Sequence, residues 1–442
     1  MLWSFTKEDI TPPIGLWQDG FANRAYQSDG VLDPLSLRTA VVKSDQSAFA
    51  LIAIEVLVLT NDRADTMRRR ICTACGLAPH QVLVAATHTH SAPMSTPTEH
   101  EEDYDGWYET VISKAIVAVV RAMESLQPAR FDAVGGLSRI GVSRREFTER
   151  GVMIGENPKA VIDRNLRMLR VVDGDGKLLG AILQGACHAI CMRERNTKYT
   201  GDWPGRACRQ LEEQYHNAVF LYFNGGSGDV NPKRYAGESD EECLTRTTDT
   251  FLEDVGRLMK KDFDPHEEGD VVSVGSELDV PLMKPRREDL LEELEEWRKR
   301  MAAAPDDSWD KIIGVYCGRF VENALQHLED KEPFHVSAMV QAARIAGDIG
   351  FFALPFEVFS ATSRGLLLSL KDSGVHKENV FTIGYANGIH GYLPTAKALR
   401  EGGYEARMSA WFYGLPSYYS PRAEREVRNR LLALWEETKT PD

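Results

Sequence analysis

The sequence predicts an α/β fold of mixed β-sheets with flanking helices, and three observations carry that expectation. Apolar β-like runs alternate with polar stretches of helical period along the whole chain. Five clusters of polar, chemistry-bearing residues each stand directly after such a run, where α/β sheets gather their ligands. The composition, 442 residues with 43 % hydrophobic and 27 % charged, is that of an ordinary globular chain. It excludes disordered, collagen-like and disulfide-scaffold classes.

In chain order, the β-like runs cover residues 40–42, 48–59, 82–86, 179–187, 219–223, 349–354 and 380–385. Helical patterning fits 62–70, 105–126, 205–214, 241–260 and 358–370. Residues 284–301 read as an amphipathic helix with Leu290, Leu291, Leu294 and Trp297 on one stripe. Together with residues 306–309 that helix makes an acidic excursion between two β-rich regions. No internal repeat or linker shows, so a single unit over residues 1–442 is expected.

The net charge of −14 disfavours nucleic acid as a partner, because phosphate binding needs clustered Lys and Arg. Local basic runs such as Met67-Arg68-Arg69-Arg70 exist, and this one reads as the solvated face of a helix. No stretch reaches the ~18 apolar residues of a membrane span. The longest candidate, 49–59, is broken by Glu55. The N-terminus lacks a basic region followed by an apolar one, so no secretory leader is expected and a cytoplasmic location is. Seven cysteines with one CxxC, Cys72 and Cys75 on a helical run, fit reduced thiols rather than a zinc ribbon.

The polar clusters carry the chemistry. After residues 82–86 comes Thr87-His88-Thr89-His90-Ser91-Ala92-Pro93. A period of two puts both imidazoles on one face of an extended segment, as two metal ligands or as one ligand beside a hydrogen-bonding group. His188 follows the next run and leads to Gly201-Asp202-Trp203-Pro204-Gly205, a turn into a helix whose N-terminus suits an anion and which Asp202 would cap. The glycines of Asn224-Gly225-Gly226-Ser227-Gly228-Asp229-Val230-Asn231-Pro232 suit a backbone nest or oxyanion hole, and Asp229 a metal or a histidine. Glu357 follows another run and opens a helix. Composition alone makes Tyr392 and Tyr404 core or interface residues, and Arg144 and Arg145 surface residues.

Taken together and in this order, the segments resemble the neutral/alkaline ceramidase family of zinc-dependent amidohydrolases. The matching pieces are DITPP from Asp9, THTHSAP from Thr87, SRREF from Ser143, His188 with GDWPG, GDVNP from Gly228, LPFE ending at Glu357, and GYLPT followed by GGYE. The resemblance implies that family's catalytic-domain fold and a zinc site of His88, His188, Glu357 and Tyr392, with an open position for water. It implies that His90 polarises the amide carbonyl and that Arg144 and Tyr404 hold the carbonyl or the carboxylate product. Where the family has a serine in GDVSP this chain has Asn231, and Met94-Ser95-Thr96 replaces a glycine pair. The family's immunoglobulin-like C-terminal domain is expected to be absent. The expected function is hydrolysis of a linear amide, by zinc-activated water, in a small soluble N-acyl substrate rather than ceramide. Asn231 would then hydrogen-bond the substrate without acting as nucleophile. The competing readings are a metallophosphoesterase, whose Asp-x-His signature occurs only at Asp264-Pro265-His266, and a non-catalytic metal or small-molecule binder. No feature decides the oligomeric state.

Overall fold

The structure, a computed structural model, describes residues 1–95, 101–216, 218–266, 268–305, 308–372 and 374–439, without the side chains of 101–103. Thr96 and part of the acidic stretch at 306–309 lie outside the described residues. Three sheets are built to one plan. In the first, Leu2–Asp9, Ser36–Lys43 and Ala48–Ile54 lie antiparallel in sequence. The chain then crosses through helix Asn61–Cys75 and returns as Val82–Ala86, parallel to Ala48–Ile54. The second sheet repeats this with Arg130–Leu137, Asn165–Val172 and Leu178–Gly185, helix Asp202–Gln214, and a parallel Val219–Asn224. The third does so with Val271–Pro281, His335–Ile345 and Ile349–Ala353, helix Ser360–Asp372, and a parallel Val380–Ile383. A further helix follows each parallel strand: Glu101–Glu124, Asp240–Met259 and Ala423–Glu437. Each parallel pair needs its crossover helix, because a tight turn joins only antiparallel strands.

The sheets share one apolar core. Trp3, Phe49 and Leu83 of the first meet Phe131, Ile182 and Leu221 of the second and Ile345, Phe351 and Phe381 of the third. Helices cover the other face of each sheet in a separate cluster. Strands buried on both faces need continuous apolar runs, and Ala48–Ile54 and Val82–Ala86 are buried at every position. This is an α/β fold of mixed sheets with flanking helices, as expected. The threefold plan is the correction: connectivity repeats although no sequence repeat accompanies it. Cys72 and Cys75 lie on a helix, and all seven cysteines are free thiols. Among the described residues no helix is long and apolar enough to cross a membrane.

Two expectations change. The run expected to extend to residue 59 leaves its sheet at Ile54, because Glu55 turns inward as a buried anion. It pairs with Arg38, accepts the Ser36 N–H at 3.0 Å, and fills the N-terminus of helix Asp202–Gln214. A Cβ on Gly201 would lie 2.5 Å from Glu55 Oε2, and one on Gly205 2.8 Å from Oε1. The anion expected at this helix end therefore belongs to the chain itself. The basic run is also only half solvated. Arg68 is buried and donates to the carbonyls of Val82 at 3.3 Å and Pro79 at 2.8 Å, whereas Arg69 and Arg70 face solvent.

Arg38 also donates from Nε to Glu212 Oε1 at 2.6 Å, and Lys7 donates to Glu212 Oε2 at 2.7 Å. Removing one partner of such a buried network strands the others. Arg38→Met is expected to cost about 3–5 kcal/mol in urea unfolding. A loss below about 1 kcal/mol would show Glu55 and Glu212 to be solvated.

Candidate metal centre

The carboxyl ends of the three parallel pairs converge. His88 and His90 follow Val82–Ala86, His188 follows Leu178–Gly185, Glu357 follows Ile349–Ala353, and Tyr385 follows Val380–Ile383. Single backbone bridges fasten the ends together: Thr89 with Ala189, and Ala85 with Ala386. Glu357 and Tyr392 are register partners in a two-residue parallel pair, so their side chains lie side by side. His88 Nε2 and His188 Nε2 stand 3.3 and 3.1 Å from the same oxygen, Glu357 Oε2. The ligating nitrogens of His88, His90 and His188 lie within 4.8 Å of one another.

Hydrogen bonds fix the tautomers. His88 Nδ1 meets the Leu57 carbonyl at 2.8 Å, His188 Nδ1 that of Ser227 at 2.8 Å, and His90 Nδ1 that of Gly20 at 3.1 Å. A carbonyl only accepts, so each Nδ1 carries a hydrogen and each ring turns its Nε2 inward. Burial and the neighbouring imidazoles hold His90 well below its ordinary value, and burial with Arg144 pushes His188 down to about 4. Burial raises the Glu357 carboxyl, but the two imidazoles beside it outweigh that and hold it well below the carboxylate range. His88 Nε2 and His90 Nε2 are buried without a hydrogen-bond partner. Two imidazole Nε2 atoms and a carboxylate oxygen thus face one another in a buried pocket, with His90 Nε2 beside them, and such a donor set suits a divalent cation.

The surrounding polar groups orient this set. Tyr413 donates to Glu357 Oε1 at 2.5 Å, leaving Oε2 for the histidines. Tyr385 stacks on His88 at 4.1 Å between ring centroids, and its hydroxyl lies 2.9 Å from Ser227 Oγ and 3.3 Å from Glu357 Oε2. Tyr392 Oη is 3.4 Å from His188 Nε2 and accepts from Arg144 Nη2 at 2.7 Å. Arg144 also donates from Nη1 to His188 Nε2 at 3.1 Å and to Asn231 Oδ1 at 3.4 Å. Tyr404 stands behind, its ring 5.7 Å from that of Tyr392. Tyr385, Tyr413 and Glu405 were not singled out in the sequence. Glu405 ends the GGYE piece and Tyr385 the apolar run 380–385, whereas Tyr413 carries no such signal.

Several local expectations are corrected. His88 has φ 68°, so the two histidines meet through a left-handed kink rather than along an extended segment. Arg144 and Arg145 are buried, because Glu405 accepts from both at 2.7 Å. Gly201, not Asp202, precedes the helix. The Asp202 carboxylate instead takes the N–H groups of Cys191, Met192 and Trp203, and Trp203 Nε1 donates to the His188 carbonyl at 2.9 Å, fastening that loop. The N–H groups of Gly225 and Gly228 go to the carbonyls of Gly185 and Val358 rather than into the site. Gly228 serves close approach, since a Cβ there would lie 2.8 Å from the Glu357 carbonyl oxygen. His266 pairs with Asp348 at 3.1 Å, so the lone Asp-x-His brings no ligand to this centre.

Asp229 takes a structural position: its Oδ1 accepts the Ser360 N–H at 2.8 Å, and its carbonyl accepts the Arg144 N–H at 3.0 Å. Burial pushes its carboxyl up to about 6, against the Ser360 N–H, which favours the charge. The folded state then binds this proton more tightly than the unfolded chain, whose value is 3.8. The associated stability is fully present below that value and is lost as pH rises through about 6. Relative to Asp229→Asn, the wild type should lose roughly 2 kcal/mol between about pH 4 and pH 6. Parallel urea curves for the two proteins across that range would refute this.

Comparison with known proteins agrees with this geometry. Residues 3–250 match the family model described as neutral/alkaline non-lysosomal ceramidase, N-terminal. Neutral ceramidase B of Dictyostelium discoideum is 29 % identical over 172 residues, 34 % of this chain and 23 % of that protein. The neutral ceramidase of Pseudomonas aeruginosa is 29 % identical over 182 residues, 37 % of this chain and 26 % of that protein. The matches thus span about a quarter of these relatives' length. The crystal structure of neutral ceramidase from Pseudomonas aeruginosa superposes with TM-score 0.75 at 17 % identity, over 100 % of this chain and 75 % of that one. With more than half its length matched by the family model, the chain belongs to the neutral/alkaline non-lysosomal ceramidase family.

Proposed function

We propose that the chain is a zinc-dependent hydrolase of linear amide bonds, with His88, His188, Glu357 and Tyr392 as the ligand set. The observation that carries this is the convergence of His88 Nε2 and His188 Nε2 on one oxygen of Glu357, all three buried. Zinc so held supplies Lewis acidity to the attacking water and the attacked carbonyl.

The chain's own residues do the rest. His90, with Nδ1 anchored on Gly20, offers a lone pair at Nε2. It therefore takes the proton from the attacking water and, once protonated, donates to the developing oxyanion or to the leaving nitrogen. Arg144 holds the Tyr392 oxygen in place, and Tyr404 walls the site behind it. Asn231 has no hydroxyl to acylate, and Ser227 Oγ is buried against Tyr385. Direct attack by water suits these residues better than an acyl-serine route. Substrate is a small soluble N-acyl amide in this reading. The relatives are named for ceramide, itself an N-acyl amide, so ceramide is the comparison to run.

Metal content by mass spectrometry tests the centre: about one zinc per chain in the wild type, lost in His188→Ala and in Glu357→Gln. Tyr385→Phe removes the hydroxyl near Ser227 and Glu357 and is expected to weaken zinc binding about 10-fold in competition with a chelator. Wild-type protein that takes up no zinc on reconstitution would refute the ligand set. Zinc bound without hydrolysis of short N-acyl amides or of ceramide in mixed micelles would favour the non-catalytic binder.

A further inference from the structure

The buried arginines Arg38, Arg68, Arg144, Arg145, Arg167 and Arg170 each form an ion pair with a carboxylate. Arg24 is the exception: it is 8 % exposed and pairs with no carboxylate among the described residues. Asp19 and Glu194 act on it only from beyond ion-pair distance. Burial outweighs both and pushes its guanidinium down to about 10, still a cation at neutral pH. Its bonds go to neutral acceptors. Nη1 donates to Gln18 Oε1 and to the Asn196 carbonyl, and Nη2 donates to the His90 carbonyl at 2.7 Å. A guanidinium carries five N–H hydrogens, so that of Nε and one of Nη2 are left over. Arg24 Nε is buried without a hydrogen-bond partner, and so is Nε2 of Gln18, the amide that Nη1 contacts. Donors thus gather round one buried positive charge with no anion among the described residues to meet them.

This cluster borders the metal centre. The Gly20 carbonyl takes the His90 Nδ1 hydrogen, and the Phe21 ring lies 5.2 Å from the His90 ring and 5.3 Å from Arg24 Cζ. Residues 18–24 therefore wrap His90. None of these contacts uses an atom of His88, His188, Glu357 or Tyr392, so they hold with or without a bound ion. An unpaired buried cation is costly to the folded chain. A carboxylate offers what this one lacks, negative charge and acceptors only. Resting on the hydrolase reading above, we propose that Arg24 is a specificity-determining residue that receives a carboxylate borne by the substrate, a few bonds from the scissile amide. Arg24 is anchored on the main chain of His90 and not on the metal ligands. The anion it receives is thus a second group of the substrate, distinct from the carboxylate that hydrolysis forms at the acyl carbon. The substrate class is then an N-acyl amino acid or the amide of a dicarboxylic acid.

Levulinate is the ketone analogue of N-acetylglycine and of succinamate, with carbon in place of the scissile nitrogen, and 2-pentanone is its uncharged counterpart. Titrating each into the zinc-loaded protein, followed by NMR, tests the proposal without turnover. Arg24→Met is expected to lower the ratio of levulinate to 2-pentanone affinity about 10-fold, as loss of a charge-assisted hydrogen bond should. Gln18→Glu brings a carboxylate against Arg24 from within the chain. It should lower the ratio by a similar factor and raise stability in urea, because it pairs a buried charge. A folded Arg24→Met whose ratio stays within about 2-fold of wild type would overturn the proposal. Should that variant fail to fold, a more stable Gln18→Glu with an unchanged ratio would show Arg24 to be a structural clamp and overturn it equally. In turnover, N-acetylglycine against N-acetylethanolamine and succinamate against butanamide tell which side of the amide bears the charge. The preference found should fall in both variants. A wild type that hydrolyses no amide but keeps an Arg24-dependent preference for levulinate would support the anion site and count against the reaction.

Discussion

The site depends on where three Nδ1 hydrogens go. Each inward-facing histidine gives that hydrogen to a main-chain carbonyl, of Leu57, Ser227 or Gly20, and each thereby has its remaining lone pair aimed at one small volume. Main-chain carbonyls cannot swing as side chains do. Those of Leu57 and Ser227 stand just beyond strands Ala48–Ile54 and Val219–Asn224, so the directions of His88 Nε2 and His188 Nε2 are inherited from the sheets, whereas Gly20 lies in the loop after Leu2–Asp9. Were Nδ1 free to exchange partners, the rings would turn and the shared approach to Glu357 Oε2 would be lost.

The threefold plan explains why this is possible with ordinary parts. Each sheet contributes one parallel pair, and loops at the carboxyl ends of parallel strands are the natural place for polar groups, because the strand interiors are closed on both faces. The first sheet supplies His88 and His90, the second His188, and the third Glu357 and the tyrosines. Buried charge is managed in the same manner in two places. Glu55 is answered by Arg38 and by the N-terminus of helix Asp202–Gln214, and Glu405 is answered by Arg144 and Arg145. In both, the cost of burial is met by complete pairing rather than by solvent.

Much of this was legible in the sequence because it rests on local signals. Runs such as Val82–Ala86 and Val219–Asn224 announce doubly buried strands, and the polar clusters after them mark the loops. What stayed hidden depends on distant partners. Arg144 and Arg145 read as surface residues until Glu405, far along the chain, is placed against them. Tyr385 and Tyr413 are unremarkable in sequence because their role is defined by a carboxylate on another segment. The helix Trp309–Glu329 and the paired strands Val271–Pro281 and His335–Ile345 carry no clean apolar run, because polar residues interrupt each of them. The left-handed turn at His88 was invisible for a different reason. Positive φ is uncommon even for histidine, which adopts it more readily than most residues, and no local sequence signal marks this one.

The division of the donor set among three sheets also bears on how the chain acquires its shape. Contacts between residues far apart in sequence are slow to form, since the intervening chain must be closed before they give any return. The pairing of His88 with Glu357 spans most of the chain. During synthesis the first two sheets can collapse on their own apolar faces, yet neither holds a complete cage for an ion. A cation that binds the centre would therefore favour states in which the first two sheets are already docked, and the finished fold most of all. Glu357 arrives last, with the third sheet, and completes the donor set.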